Sequence, residues 1–332
     1  MISLGIETSC DETSVAVVKN ARKVLSNEVA SSIKFHKKYG GVIPEIASRM
    51  QLETISEVAA SALQDARVKL KDIDLISVTC GPGLLGSLLV GISFAKSLSL
   101  SLGIPLLGVN HVHSHFYANF LQGKVINLPF VALVVSGGHT SLFYVRDFDR
   151  IEPLGQTYDD ACGEAFDKVA KILGLGYPGG PLIERLALRG DPNSIKFNCS
   201  GTKNELDFSF SGIKTAVLYH IRKLEASRCS DMDKQIRNIC ASFQHTVVET
   251  LVKKAILACK LKKVKSLLLG GGVVANKSLR ERFISAAVKE GLVCHLPSLG
   301  ICTDNAAMVA GFGSELFKKG YRSNFYLNTQ LN

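Results

Sequence analysis

Apolar and polar residues alternate near the start of the chain in a pattern that predicts a β-hairpin. Residues Ile2 to Glu7 alternate as a strand, and Val15 to Val18 form a second strand. Between them lies a short polar turn, Thr8 to Thr13, with an acidic tip at Asp11 and Glu12. The first hairpin therefore presents two carboxylates at its turn.

A second stretch of the same design follows about 130 residues later along the chain. Its strands are predicted at Val131 to Val135 and Ser141 to Val145, and its turn is Ser136-Gly137-Gly138-His139-Thr140. One unit used twice is typical of a duplicated domain. The sequence thus predicts an α/β protein with two related domains and a cleft between them.

Hydrophobic periodicity and the positions of glycine and proline predict the remaining elements. Helices are predicted at 43–63, up to 102, at 159–173, after Pro178, at 213–226, 231–259, 276–290 and up to 319, and strands at 75–79, 265–269 and 292–296. Residues 198–211 lack clean periodicity and are predicted to form a loop. The apolar segment Leu84 to Val109 contains Lys96 and Pro105, which favour a buried helix and a short strand over a membrane span.

The segment Asn110-His111-Val112-His113-Ser114-His115 offers the first candidate chemistry. At the start of a helix, His111 and His115 lie one turn apart on the same face, where two imidazoles can hold one cation. A carboxylate or a water would complete such a site. A histidine-rich helix start capped by Asn110 remains the alternative. No glutamate follows His111, so the pattern is not that of a metalloprotease.

Glycine-rich turns are candidates for anion binding. Gly270-Gly271-Gly272 separates a predicted strand from a helix N-terminus, where free amides and the helix dipole converge. A tight turn between the strand and the helix would account for one or two glycines. Three glycines in succession favour contact of the backbone with a phosphate. Ser136 to Gly138 form a second such turn. Asp304 precedes the last predicted helix, which it could simply cap.

Charge and cysteine usage narrow the class of protein. The net charge of +10 favours a polyanionic partner such as nucleic acid, although each lysine cluster taken alone is also explained as a solvated face. Nine cysteines without a C-x-x-C pair indicate reduced thiols in a cytosolic protein. The acidic N-terminal region lacks the basic residues of a signal peptide, so no export is expected.

These features together predict a reaction class. A metal beside a phosphate site suggests Lewis-acid assistance to a phosphate-bearing substrate. The carboxylates of Asp11 and Glu12 could accept a proton from an attacking nucleophile. The residues by themselves therefore indicate a reaction class, which is transfer or hydrolysis of a group linked to a phosphate.

A set of motifs in order along nearly the whole chain resembles the TsaD (Gcp) family. The motifs are Gly5–Thr13, Gly41–Arg49, His111–His115, Val135–Thr140, Gly163–Lys168, Tyr177–Pro181, Phe208–Gly212 and Cys302–Ala306. The resemblance implies the fold of the actin, sugar kinase and Hsp70 superfamily. It also implies an acyltransferase that moves a threonylcarbamoyl group from threonylcarbamoyl-AMP to the N6 amine of the adenosine 3′ of the anticodon in tRNA, releasing AMP.

The resemblance also implies functional residues and partners. His111, His115 and Asp304 would hold one divalent metal ion, Fe2+ first and Zn2+ as the alternative. The adenylate would be bound by Val134, Val135, Ser136, Gly137, Gly138, Asp167, Gly180 and Asn276. The expected partners are tRNA and TsaB-like and TsaE-like subunits, with a cytoplasmic location and no membrane. The predicted domains are an N-terminal lobe, 1–115, completed by 305–332, and a C-terminal lobe, 116–304, with a helical insertion.

Catalytic roles follow from hairpin positions. We expect Asp11 or Glu12 to take the proton of the exocyclic amine, and His139 to donate a hydrogen bond to the reacting carbonyl. Asp11 and Glu12 could instead only shape a turn. For Asp167 the alternatives are a contact to a ribose hydroxyl and a surface helix carboxylate.

Two positions depart from the family pattern, and three rival functions remain. Ser14 stands where glycine is expected, and Gln51 stands where many members carry histidine.

A metallopeptidase would leave the phosphate turns without a purpose. An ATPase or sugar kinase of the same superfamily would usually leave its metal to carboxylates, waters and phosphates. A non-catalytic scaffold subunit would not need all three candidate metal ligands.

Overall fold

Both predicted hairpins form, and each lies at the centre of a five-stranded sheet. The computed structural model describes residues 1–123, 125–199, 201–228 and 230–330, so residues 331 and 332 of the predicted N-terminal lobe lie outside the described residues. The strands in this part of the chain are β1 (Ile2–Glu7), β2 (Glu12–Lys19), β3 (Lys23–Ser31), β4 (Leu75–Gly81), β5 (Leu106–Asn110), β6 (Phe130–Val135), β7 (Thr140–Asp147), β8 (Arg150–Gln156), β9 (Ser266–Gly270) and β10 (Val293–His295).

Helices flank both sheets, and most begin and end within a few residues of the predicted bounds. The α-helices are α1 (Ile33–His36), α2 (Pro44–Ala66), α3 (Leu85–Leu102), α4 (His111–Tyr117), α5 (Cys162–Ile172), α6 (Gly179–Ala187), α7 (Ser211–Ala226), α8 (Met232–Lys262), α9 (Lys277–Lys289) and α10 (Ala306–Lys318). Residues 201–210 form no regular helix, in agreement with the predicted loop.

The described chain divides into two units. The first unit comprises Met1–Ile126, Asp147–Arg150 and Pro297–Asn332, and the second comprises Asn127–Arg146 and Ile151–Leu296. The sheet of the first unit has the order β3-β2-β1-β4-β5, and that of the second has the order β8-β7-β6-β9-β10. In each unit the central strand, β1 or β6, pairs antiparallel with the next strand in the chain and parallel with the fourth strand of its sheet in chain order, β4 or β9. The equal topologies confirm the predicted duplication.

The outer strands β3 and β8 were not predicted from the sequence. Each is the third strand of its sheet in chain order and lies at an edge, where few of its residues are fully buried. Pro153 and Gly155 further interrupt the alternation of β8. An edge strand needs no continuous apolar face, so the pattern that marks central strands is weak there.

Small residues bring the start of α10 against the first sheet. The helix is buried from Ala306 to Ser314. A Cβ on Gly5 would lie 2.2 Å from the carbonyl oxygen of Ala306, and one on Gly313 would lie 2.2 Å from Oγ of Ser77. Glycine at these positions therefore permits a close approach that any side chain would prevent.

The apolar helix α3 is long and apolar enough, by length and composition, to cross a membrane. One such helix is weak evidence, because core helices pass the same test. In the first unit α3 packs beside β4 with Leu88, Ile92 and Ala95 buried. This packing agrees with the predicted buried helix.

Candidate metal centre and substrate site

The two histidines of α4 meet Asp304 in the first unit. The Oδ1 atom of Asn110, the last residue of β5, accepts a hydrogen bond from the His113 amide at 3.0 Å and so caps the helix. The rings of His111 and His115 then lie side by side, with centroids 4.7 Å apart. Asp304 Oδ1 lies 3.8 Å from His111 Nε2 and 3.3 Å from His115 Nε2. One atom from each of the three side chains lies within 4.8 Å of the others.

Glu7 holds the ring of His111 from behind. Its Oε2 lies 3.0 Å from Nδ1 of His111 and also accepts a hydrogen bond from the Thr79 hydroxyl at 2.6 Å. Its Oε1 accepts a hydrogen bond from the Ser9 amide at 2.6 Å, and the Ser9 hydroxyl lies 3.1 Å from the same Nδ1. A carboxylate behind one ring nitrogen directs the other towards a metal, which is the usual support of a histidine ligand.

Burial and the opposite charges of Glu7 and His111 shift the pKa values of both side chains. Burial disfavours the charged form of His111, but Glu7 and then Asp304 outweigh it and raise the pKa of His111 to about 9. Burial likewise raises the pKa of Glu7, and the charge and hydrogen bond of His111 reverse this, so its pKa is lowered overall. The Glu7 carboxylate thus stays ionised behind the ring.

The three side chains fit a divalent metal ion. Both ring nitrogens of His115 are buried without a hydrogen-bond partner among the described residues, although burial of such groups is costly. Ligand atoms about 2.1 Å from a tetrahedrally coordinated ion lie about 3.4 Å apart, close to the spacing of Asp304 Oδ1 from His115. Two imidazoles and one carboxylate suit iron or zinc.

His113 takes no part in this group. It lies against the rings of Phe116 and Phe312, and burial lowers its pKa to about 4.

Asp304 is not the cap of α10, so that alternative reading is wrong. The cap is Asn305, whose side chain accepts a hydrogen bond from the Met308 amide at 3.1 Å. The two preceding amides of the helix are bonded by strand residues: Ala306 donates to Ser14 Oγ at 2.9 Å, and Ala307 donates to Asn27 Oδ1 at 3.1 Å. Because neighbouring side chains occupy these amides, the carboxylate of Asp304 is left to face the histidines.

The acidic turn Thr8–Thr13 lies in the same unit. Asp11 and Glu12 are half-buried. Burial, then Asp304 and Asp11, raises the pKa of Glu12 to about 10. A nearby cation would stabilise the ionised form of such a carboxyl group.

The predicted adenylate residues of the second unit begin at the turn after β6. Val134 and Val135 are fully buried strand residues, so only their backbone can reach a ligand. The Ser136 amide donates to the His139 carbonyl at 2.8 Å, and the His139 amide donates to Ser136 Oγ at 3.1 Å. This closed turn leaves the two glycines, Gly137 and Gly138, exposed, with no atom within 4 Å of where a Cβ would be.

Asp167 joins the two helices that follow. It lies on α5, and its Oδ1 accepts a hydrogen bond from the Gly179 amide at 2.6 Å, at the start of α6. Burial raises its pKa to about 6, and the Gly179 amide opposes the shift. The next residue, Gly180, again has open space where a Cβ would be. Asp167 is therefore a half-buried carboxylate beside an open glycine, and not a freely solvated surface acid.

The glycine run after β9 differs from the predicted strand-to-helix junction. Gly271 has a φ of +95°, and a Cβ there would lie 2.3 Å from the Val135 carbonyl oxygen, so backbone geometry requires this glycine. A 3-10 turn, Gly272–Ala275, separates the run from α9. Asn276 caps α9 through the Leu279 amide and donates to Gln244 Oε1 at 2.8 Å. Both polar groups of the Asn276 side chain thus bond within the protein.

Functional roles for Glu7, Ser9 and Thr79 were not predicted from the sequence. An acidic residue at the end of an apolar strand was the available signal, because a buried carboxylate needs a partner. Its partner could not be identified without the packing of β1 against β4 and α4.

The two sheets and the histidine–carboxylate group define a duplicated actin-like protein with a candidate metal centre. Comparison with solved structures supports this fold: HypF from T. kodakarensis matches with a TM-score of 0.63 at 15% identity, over 98% of this chain and 49% of that one. Component A of the (R)-2-hydroxyglutaryl-CoA dehydratase of Acidaminococcus fermentans matches with a TM-score of 0.53 at 14% identity, over 95% and 98%.

Sequence comparison then gives the family. The family model described as "TsaD: tRNA N6-adenosine threonylcarbamoyltransferase" matches residues 23–311. Relatives of that name from Dictyoglomus turgidum and Thermosipho melanesiensis are 49% and 52% identical, over 99% and 96% of this chain and 97% and 95% of their own length. The chain belongs to the TsaD family, and the resemblance stated from its motifs is confirmed.

Proposed function

We propose that this chain catalyses the reaction named for its family and that its two units supply separate parts of the chemistry. The product is tRNA carrying a threonylcarbamoyl group on the N6 amine of the adenosine 3′ of the anticodon, and AMP is released. The observation that carries the proposal is the buried group of His111, His115 and Asp304 in a chain about half identical to named transferases over nearly its full length.

The first unit holds the metal. His111, His115 and Asp304 are its ligands, and Glu7 orients His111. We infer Fe2+ as the ion, with Zn2+ as the alternative. A bound ion supplies Lewis-acid stabilisation of the charge that develops on the phosphate as AMP leaves.

The acidic turn Thr8–Thr13 accepts the proton that the N6 amine loses. The N6 amine attacks the carbonyl carbon of the threonylcarbamoyl group, the bond from that carbon to the phosphate oxygen breaks, and AMP leaves with the electron pair. The amine becomes a urea nitrogen and loses one proton, which the carboxylate of Asp11 or Glu12 accepts. His139 donates a hydrogen bond to the reacting carbonyl oxygen.

The second unit binds the adenylate. The Gly137, Gly138 and Gly180 positions lack a Cβ and have open space around them, so a ligand can approach the backbone closely. Ionised Asp167 accepts a hydrogen bond from a ribose hydroxyl. Asn276, bonded within the protein, contributes by fixing the start of α9.

The basic surface binds tRNA, and TsaB-like and TsaE-like subunits act with the chain in the cytoplasm. The lysine clusters at 34–38, 253–265 and 318–322 neutralise tRNA phosphates. In the last two clusters Lys260, Lys262 and Lys319 pair with carboxylates of the chain, and tRNA phosphates replace those partners. Binding of unmodified tRNA is expected to weaken steeply between about 50 and 200 mM salt. A flat salt response would exclude direct docking through these residues.

Reconstitution tests the proposed function. Purified chain, the two partner subunits, threonylcarbamoyl-AMP and unmodified tRNA are incubated with and without a chelator, and the nucleosides are analysed. We expect threonylcarbamoyladenosine only without the chelator, and its loss in His115→Ala. His245→Ala, on the exposed face of α8, is the matched control. If transfer persists both with the chelator and in His115→Ala, the metal assignment is refuted. If the complete mixture forms no threonylcarbamoyladenosine, the proposed function is refuted.

A further inference from the structure

We propose that Gln51 is a positioning residue that fixes the acidic turn Thr8–Thr13 through the backbone carbonyls of Cys10 and Glu12. This inference rests on the proposed function, because it matters for catalysis only if Asp11 or Glu12 handles the proton.

The Gln51 amide reaches the turn from α2. Its Nε2 donates to the carbonyl oxygens of Cys10 at 2.9 Å and Glu12 at 3.0 Å, and lies 3.5 Å from that of Thr8. The side chain is 1% exposed. A single nitrogen thus holds the chain on both sides of Asp11.

The carbonyl of Asp11 is held from another direction. Ser32, just after β3, donates to it through its hydroxyl at 2.7 Å and its amide at 3.2 Å. The Ser32 hydroxyl is itself 2.9 Å from Nε2 of His36, whose Nδ1 accepts the Ile43 amide at 3.2 Å. Three successive carbonyls of the turn are therefore bonded to buried groups of the protein.

The position of Gln51 argues against a simple packing role. The buried face of α2 otherwise consists of apolar residues, namely Ala47, Ile55, Val58, Ala59 and Ala62. Gln51 continues this stripe, with Ala47 and Ile55 one turn away on either side, and the helical period would place an apolar residue there. Burial of an amide is costly unless it is bonded.

The hydrogen bonds of the Gln51 side chain also indicate a role as a donor to the turn. Its Oε1 is buried without a partner among the described residues, so only the two donor hydrogens are used. The function of the side chain is therefore donation to the turn.

Paired substitutions in α2 test the inference. Gln51→Met keeps the length and removes both donors, and Gln51→His restores a ring N–H. Gln64→Met makes the same change at an exposed position of the same helix. Each variant is measured for kcat, for KM of threonylcarbamoyl-AMP, and for hydrogen exchange of the peptide covering residues 8–13, after thermal unfolding has confirmed that it is folded.

We expect Gln51→Met to lower kcat about 10- to 100-fold with little change in KM, because small displacements of a catalytic group are costly and the proposed adenylate residues lie in the second unit. Exchange in the turn rises, and Gln51→His recovers most of the rate. Gln64→Met matches the wild type. A wild-type kcat, or unchanged exchange, in Gln51→Met overturns the inference. If the wild type itself fails to transfer, the proposed function fails, and exchange alone still decides whether Gln51 holds the turn.

Discussion

The two hairpin turns differ in how they are held, although their strands match. In each hairpin six residues of the first strand pair with the second. Beyond the last pair, Glu7 with Ser14, the first turn has six residues, Thr8–Thr13. Beyond Val135 with Thr140, the second has four, Ser136–His139. The shorter turn closes through two hydrogen bonds of its own and receives one more from the Gly163 amide, whereas the longer one, whose last two residues pair with β3, is bonded to the side chains of Gln51 and Ser32.

This difference shows how a duplicated unit acquires two roles. The short, closed turn leaves its two glycines exposed, which suits close approach of a ligand. The longer turn carries two half-buried carboxylates and needs support from the rest of its unit. One feature remains common: Ser14 and Thr140 occupy the same place in the two ladders, and each accepts the first amide of a helix, α10 or α5.

Loss of a metal ligand is expected to have the largest effect and to be confined to the first unit. His115→Ala removes an imidazole that the fold buries without another partner, so metal content is expected to fall to background and transfer to fall more than about 100-fold. Binding of a non-hydrolysable adenylate analogue is expected to persist. Metal content by elemental analysis and analogue binding by calorimetry check both parts. If folded His115→Ala protein no longer binds the analogue, metal binding by the first unit and adenylate binding by the second are not separate roles.

Weakening the support of His111 is expected to have an intermediate effect. Glu7→Gln keeps the shape but replaces the carboxylate behind Nδ1, and such partners typically contribute about 10- to 100-fold to metal affinity. A chelator competition titration measures the change. Val135, the equivalent position of the second unit, bears no charge, and Val135→Ile serves as the control. An unchanged affinity in Glu7→Gln would show that the carboxylate serves the fold alone.

The substrate role of the second unit is expected to depend on pH. The raised pKa of Asp167, about 6, means that its carboxylate gains a proton as the pH falls below that value and ceases to accept two hydrogen bonds. Analogue binding is therefore expected to weaken below about pH 6 in the wild type. Asp167→Asn is expected to bind about tenfold more weakly at pH 8 with a flat pH profile. Calorimetry between pH 5 and 8, at intervals of about one unit, checks this.

The same group has a consequence for stability. Because the folded pKa of Asp167 lies above the ordinary value of 3.8, the fold favours the protonated form, and its contribution falls as the pH rises from about 4 to about 6. Asp167→Asn is therefore expected to lose little stability at pH 7. A large loss in a urea unfolding titration would show that the Gly179 contact needs the charge.

The paired hydroxyls are expected to give the smallest effects. Ser14→Ala and Thr140→Val each remove the acceptor for one helix amide, and each is expected to cost about 1 kcal/mol, or a fall in Tm of about 2–4 °C. Only Ser14→Ala is expected to lower metal affinity as well, because its helix follows Asp304 directly. Equal effects on metal affinity would remove the distinction between the two units.

Local patterns were sufficient for much of the fold. Period-two alternation predicted β1, an apolar run before a glycine-rich turn predicted β6, and the four-residue spacing of His111 and His115 with Asn110 before them predicted one capped helix face. These features depend on neighbours in sequence. The edge strands β3 and β8 lack a continuous apolar face and escaped detection for that reason.

Local patterns along the chain were therefore enough to predict the duplicated hairpins and the paired imidazoles, and the order of the motifs was enough to predict the family. Only the packed fold shows that Glu7 supports His111, that Ser14 bonds the helix after Asp304, and that Gln51 bonds the acidic turn. Each of these contacts joins residues far apart in the chain, and backbone periodicity carries no information about such pairs. They form only when packing of β1, α2 and α10 brings buried polar groups together, because each group must then find a partner.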